Sequence, residues 1–401
     1  MKLRSNEPFG LLRNGLLFAY PSLQHDIEAD VVVIGAGITG SLIAHRCVAE
    51  GHATVVIDRR EVGHGSTAAT TSMLQYEIDV PLHALIAKVG EKDAVAAYHA
   101  CGRAIDTLEE LDRLVKGEAG FRRKRSLYFA AWKKDVAGLR LEYEARQRHG
   151  FAVRWLTAER IAERYGIHGT HGGILSRQGA SVDAFRLTHR LLQHGVRRGL
   201  QVFDRTAIAQ VRHRRNGTTI TTEDGHVVRC RHVVHCTGFE SVELLGRDHV
   251  DLHSTYAIVS EAMPDHARRL KDTLVWNTAD PYLYMRTTAD GRLIVGGADE
   301  EFVDAERRDR LLARKAGRLE RQVQKRMPDV PFRTDFAWAG TFGATRDGLP
   351  CIGRHPEVPG AIFVLGFGGN GICFSVVGMD MVAAFLAGRE HPLAHAFRFG
   401  R

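Results

Sequence analysis

Several familiar constructions are missing from these 401 residues. The six cysteines stand at 47, 101, 230, 236, 351 and 373, and no two form C-x-x-C or another metal-ligating spacing. That pattern gives neither a zinc site nor a disulfide framework, so the thiols read as reduced and the chain as cytoplasmic. No apolar run reaches the ~18 residues of a membrane-spanning helix. The opening MKLRSNEPFGLLRNGLLFAYPSL is too broken by polar residues for a secretory signal. The 21 histidines are scattered, with no Ser/His/Asp constellation, and no metal is expected. Internal repeats and low-complexity tracts are absent too.

What is plentiful is ordinary globular material: 44% apolar and 25% charged residues, in a chain long enough for two cores. The formal net charge of +8 raises the question of acidic partners. The excess is mostly dispersed Arg, however, and FRRKRS (Phe121 to Ser126) is the one dense cluster. A solvated Arg-rich surface accounts for it, and nucleic acid is not expected as a partner.

The stretch DVVVIGAGITGSLIAHRCVAEGHATVVID reads as a strand–helix–strand unit. Val31 to Ile34 is an unbroken β-branched run, as expected of a parallel strand buried on both faces. Gly35 permits the tight turn, Gly37 lets backbone approach a pyrophosphate, and Gly40 lets the helix pack closely on the strand. The helix expected from Ile38 to Glu50 aims its free N–H groups, with Ala36 and Thr39 beside them, at those phosphates. Asp58, at the tip of the second strand with Arg59 next to it, stands where a ribose-binding acid belongs. Strand, helix, second strand and acid in register make a strong dinucleotide signal.

A second glycine turn, Gly366, Gly368 and Gly371, follows the strand-like AIFVL and opens a helix that ends near Gly388. Too little chain follows it to complete another strand–helix–strand unit. What remains is a helix N-terminus, a partial positive charge that needs an electron-rich partner. The pyrimidine edge of a flavin is such a partner, met by Gly368, Gly369, Asn370, Gly371 and Ile372. One FAD then explains both turns. Gly65, Ser66, Thr67 and Thr71, in the hydroxyl-rich stretch after Asp58, are candidates for its pyrophosphate or ribityl chain. Thr237 and Gly238 end a further short strand that passes close to it.

These strings together resemble the bacterial FAD-dependent oxidoreductases of the glycine/D-amino-acid oxidase (DAO) type, essentially end to end. The resemblance is carried by VVVIGAGITG, GHGSTAATTSMLQYEID, GASVDAFRL, VVHCTG, AWAGTFGATRDGLPCIG and GFGGNGICFS. It implies an α/β chain with a discontinuous FAD-binding Rossmann-like domain of the glutathione-reductase type and an α+β substrate domain on an antiparallel sheet. The expected division is 1–92, 166–240 and 336–401 for FAD, with 93–165 and 241–335 for substrate; Gly340 joins the cofactor residues. Independent support comes from strand-like Ser254 to Glu261, a hairpin from Pro281 to Gly297 turning at Asp290–Gly291, and helical periodicity over 91–118 and 300–326.

The resemblance also implies chemistry: hydride transfer from the carbon bearing a neutral amine to flavin N5, giving an imine. The substrate is then a small amine or amino acid, and the acceptor oxygen or another oxidant. Strand alternation puts Tyr282, Tyr284 and Arg286 on one face as a candidate substrate pocket, and Tyr284 matches a carboxylate-contacting tyrosine of the family. Three departures matter. Phe342 stands where glycine oxidases carry their carboxylate-binding Arg, leaving Arg286 or Arg346 to replace it. Thr341 aligns with the flavin-linking Cys of sarcosine oxidases, so FAD is expected without a covalent bond. Ile294 aligns with the oxygen-activating Lys of that branch, which keeps a dehydrogenase open. Two other readings are an FAD module acting on modified tRNA and a non-catalytic flavoprotein subunit of a dehydrogenase complex.

Overall fold

Val31, Val32 and Val33 have no polar face to give to water, and all three are fully buried. Their strand, Ile27–Ile34, lies in the middle of a sheet. The computed structural model describes residues 1–214, 217–246, 249–366 and 368–401; Phe367, within the second glycine turn, lies outside the described residues. One side of Ile27–Ile34 pairs in parallel with Thr54–Ile57, which pairs in turn with Gln201–Phe203. The other side pairs in parallel with Val227–His235. The far edge of that strand is shared by an antiparallel hairpin, Ile208–Arg214 with Gly217–Thr222, and by the parallel strand Val358–Leu365. The helices Ile38–Ala49 and Gly371–Leu386 belong to one apolar core with this sheet, through Leu42, Ile43, Phe374 and Met381.

A second sheet has nine strands and is antiparallel except where Thr273–Asn277 runs beside Arg125–Phe129. Its middle is Thr334–Ala344, Asp251–Ser260, Leu293–Glu300 and Tyr284–Thr287. The expected hairpin is present as the last two of these, turning through Thr288–Arg292 with Gly291 at φ +81°. The helix Ala305–Arg326 packs Leu312, Leu319 and Val323 against Ile258, Met285 and Val295 of this sheet.

The sheets cut the chain differently from the expected division. Arg4–Ser5, Gly173–Ser176 and Thr334–Ala344, expected with the FAD-binding segments but for the first two residues of the last, pair in the nine-stranded sheet. The helix Glu91–Leu114, expected in the substrate unit, buries Ala97, Tyr98 and Ile105 in the dinucleotide core instead. Periodicity reports that a face is buried; the partner that buries it is far away in sequence.

Candidate active site

Both glycine turns leave the same edge of the same sheet. Ile34 and Phe363, near the ends of the strands that precede them, are each in register with His235 of the intervening strand. Parallel strands separated by one neighbour deliver their turns to one crevice, the location of ligand sites in open α/β sheets. The two helices that follow also touch at their first turns, where Thr39 Oγ1 and Ser375 Oγ are 2.7 Å apart. Neither helix has an acidic residue in its first turn or a side-chain cap. Apart from the Ile38 N–H, which Thr67 Oγ1 accepts, their first-turn N–H groups are therefore available to an electron-rich ligand.

They open on one cavity of about 790 Å³. It is lined by Gly35, Gly37, Ile38 and Thr39 from the first turn and by Gly368, Gly369, Asn370, Gly371 and Ile372 from the second. Close packing dictates the first turn. A Cβ on Gly40 would stand 1.8 Å from the Gly35 carbonyl oxygen, and one on Gly37 would meet Thr67 Oγ1 at 3.0 Å. Gly40 and Ala36 are buried behind the turn rather than on the cavity wall.

At one end Asp58 accepts hydrogen bonds from the N–H groups of Ala36 at 2.6 Å and Arg60 at 2.8 Å. Two bonds leave further lone pairs free on an ionised carboxylate, although burial raises its pKa. Arg59 and Arg60 both pair with Glu240, which the chain's terminal ammonium approaches at 3.4 Å. Gly65, Ser66, Thr67, Thr71, Thr237, Gly238 and Gly340 continue the lining. Thr67 Oγ1 also accepts from the N–H of Ile38 at 2.9 Å, tying the hydroxyl-rich stretch to the first turn.

At the other end the second turn faces the nine-stranded sheet. Asn370 Nδ2 donates to the Gln75 carbonyl at 2.8 Å, and the N–H of Gly369 donates to Asp79 Oδ2 at 2.7 Å. Opposite stand Tyr282, Tyr284, Trp276 and Asp299. The Tyr284 ring lies where a Cβ on Gly296 would be, 2.3 Å from the ring's Cζ. Burial, with the Asp299 and Asp79 carboxylates, holds both phenols well above their usual pKa, so they remain proton donors.

The two arginines nominated for a substrate carboxylate are elsewhere. Arg286 shares a strand face with Tyr284, but its Nε donates to the Thr71 carbonyl and its Nη1 to that of Thr287, and it does not line the cavity. Arg346 is exposed and outside the lining. Phe342 does line the cavity, as an apolar wall. Glu77, Asp79, Asp299 and Trp276 line the cavity without having been nominated. The first two close the quoted string GHGSTAATTSMLQYEID, the one signal that could have found them.

A model of the family described as FAD dependent oxidoreductase (DAO) matches residues 30–384. The chain belongs to this family. Among curated proteins it is similar to the glycine oxidase of Bacillus subtilis (strain 168), 24% identical over 396 residues that cover 93% of this chain and 97% of the relative. Among solved structures it is similar to glycine oxidase from Geobacillus kaustophilus, with a TM-score of 0.77, 21% identity, and 94% and 99% of the two chains covered. It also resembles the FAD-bound L-alpha-glycerophosphate oxidase from Mycoplasma pneumoniae, with a TM-score of 0.74, 12% identity, and 91% and 97% covered. This DAO-family chain is an FAD-dependent oxidoreductase, and FAD is its cofactor. The site suits that group: two uncapped helix starts, a glycine cradle and a buried acid meet in one cavity. Thr341 offers no thiol for a flavin bond, and its Oγ1 accepts from Arg308 Nη1 at 3.0 Å. No helix among the described residues is long and apolar enough to cross a membrane.

Proposed function

We propose that this DAO-family oxidoreductase oxidises the C–N bond of a small amine or amino acid to an imine. The observation that carries the reading is the meeting of the second glycine turn with Tyr282, Tyr284 and Trp276 across one cavity. FAD bound there supplies the hydride acceptor. In this reading Asp58 and Arg59 hold the adenosine half, Gly35, Gly37, Ile38 and Thr39 face the pyrophosphate with Ala36 and Gly40 packed behind them, and Ser66, Thr67, Thr237 and Gly238 attend the pyrophosphate and ribityl chain. The N–H groups from Asn370 to Ile372 stabilise negative charge on the pyrimidine edge, those of Gly368 and Gly369 being taken by the Gly343 carbonyl and Asp79. Tyr282 and Tyr284 orient the substrate as hydrogen-bond donors, and Trp276, Tyr256 and Trp338 exclude water from the reacting carbon.

The site does little to favour oxygen as the acceptor. Ile294 is 3% exposed in an apolar cluster with Phe9, Val259 and Trp338. Lys315 is committed to the Ala298 carbonyl at 2.8 Å and to Glu300. The basic cluster gives the RNA reading little, because Arg123 is tied to Asp106 and Glu109 and Lys124 is buried against the Lys271 carbonyl, which leaves Arg122 as its exposed residue without an ion pair among the described residues. Anaerobic titration of the yellow holoenzyme with amines and amino acids tests the proposal. Bleaching near 450 nm by at least one of them is expected, and air and a dye can then be compared as reoxidants. A flavin that no amine or amino acid bleaches refutes amine oxidation.

A further inference from the structure

The charged side chains that line the flavin-ring end of the cavity are all carboxylates, and they bear on what kind of amine fits the reading above. Glu77, Asp79 and Asp299 line that end. Among the described lining residues the arginines are Arg59 and Arg60, both held by Glu240 at the opposite end, and no lysine is present. Two of the three carboxylates carry an unanswered oxygen. Asp299 Oδ1 and Glu77 Oε2 are shut off from water and have no hydrogen-bond partner. Glu77 is 3% exposed, and the guanidinium behind it, Arg146, is shared between Glu77 at 3.4 Å and Glu142 at 2.6 Å. One cation cannot neutralise both. Tyr282, Tyr284 and Trp276 share this end of the lining, and their ring faces attract cations and do not attract anions.

Asp299 is bonded by the Thr255 hydroxyl and Glu77 by Arg146, but a buried carboxylate that leaves one oxygen unpartnered is costly to maintain unless something positive comes near it. A substrate with an α-carboxylate would add negative charge to this space, where burial already raises the pKa of Glu77, Asp79 and Asp299, with no lining arginine at this end to meet it. We propose that the substrate is an amine without an α-carboxylate that carries a second, distal amino group, a diamine or similar compound, whose distal ammonium docks at Asp299. Its reacting nitrogen is neutral and lies toward the second glycine turn. Oxidation takes a hydride from the carbon to FAD and releases a proton from that nitrogen to solvent, leaving a C=N bond that water opens to an aldehyde and ammonia, or an amine where that nitrogen is substituted. Asp299 is ionised at neutral pH, since burial pushes its pKa up only to about 6.

The proposal rests on amine oxidation but fails separately from it. Anaerobic reduction is measured with 1,4-diaminobutane, n-butylamine, sarcosine and glycine. The diamine should show a kcat/KM at least about 30-fold above the other three, the scale of a desolvated charge pair. Asp299→Asn should lower the diamine-to-butylamine ratio at least about 10-fold, with Asp299→Glu recovering part, and FAD content monitored by absorbance. Binding is read apart from turnover by the visible-spectrum shift with tetramethylammonium against trimethylacetate. Tighter binding of the cation supports the assignment. A preference for sarcosine or glycine, an unchanged ratio in Asp299→Asn, or tighter binding of trimethylacetate overturns it while leaving amine oxidation standing. Should no amine reduce the flavin, amine oxidation falls and the two ions alone decide whether the pocket selects cations.

Discussion

Two glycines of the first turn, three residues apart, are expected to fail in different ways when given a methyl group. At Gly40 the added carbon would sit 1.8 Å from the Gly35 carbonyl oxygen, where ordinary contact begins near 3.4 Å. Both sides of that contact are backbone, and Gly35 is itself fixed at φ +108°. Helix and strand must therefore separate by more than an ångström in a core that is otherwise filled. Overpacking of this kind costs about 1–3 kcal/mol and more where nothing flexible can yield, so Gly40→Ala should lie at or above the top of that range. At Gly37 the new carbon would meet only the Thr67 hydroxyl, at 3.0 Å. That side chain can rotate, at the expense of its bond to the N–H of Ile38. A lost buried hydrogen bond costs about 1–3 kcal/mol, and it falls at the mouth of the cavity, where the pyrophosphate is expected. Gly37→Ala should therefore keep most of its stability and lose FAD affinity by roughly 10-fold or more. The assays are urea unfolding of the flavin-free proteins and FAD titration followed by flavin fluorescence. A Gly40→Ala midpoint equal to that of the parent would refute the packing argument. Gly37→Ala binding FAD as tightly as the parent would remove the pyrophosphate from this turn.

Acid precipitation should leave all the yellow colour in the supernatant, since Thr341 has no thiol; colour in the pellet would show a covalent flavin. Tetramethylammonium binding should weaken as the pH falls through about 6, because the raised pKa of Asp299 lets it take up a proton there and a neutral acid does not hold a cation. His253 and Lys315 oppose that rise and Asp79 supports it, and a Kd that is flat from pH 7.5 to 5 would contradict the assignment. Arg286→Ala should cost about 1–3 kcal/mol in urea unfolding through the lost bonds to the Thr71 and Thr287 carbonyls. It should slow carboxylated and uncarboxylated amines alike, whereas a selective loss for carboxylated substrates would restore Arg286 to the pocket.

The cofactor half of the site was legible because its signals are local. A β-branched run, glycines at set spacing and an acid one strand later each have a short-range physical cause, and the strand, turn and helix appear where those causes put them. The convergence of the two turns was legible by elimination, since the chain after Gly371 has no room for another unit. Sheet membership was not. Gly173–Ser176 is a four-residue strand whose partners are Arg125–Phe129 and Val153–Leu156. Nothing within those four residues says which sheet will take them.

The substrate half was read with the right rule, stopped too early. Alternation correctly set Tyr282, Tyr284 and Arg286 on one face, but a face is not a depth. The cavity ends before Arg286, where the Thr71 carbonyl from the hydroxyl-rich stretch takes the guanidinium. On the neighbouring strand the same rule could not have found Asp299. Ser254 pairs with Glu300 and Tyr256 with Gly297, so three steps on one strand oppose two on the other. The extra residue is absorbed where Gly297 and Ala298 adopt φ of +135° and +58°. A bulge of this kind re-aims the side chains beyond it, and here one of those is the Asp299 carboxylate on the cavity wall. The family resemblance directed attention to a missing arginine. The charge to which we assign selection lies past a backbone irregularity whose one mark in the sequence is the Gly296–Gly297 pair, and such a pair signals a bulge without saying which side chain beyond it turns to the cavity.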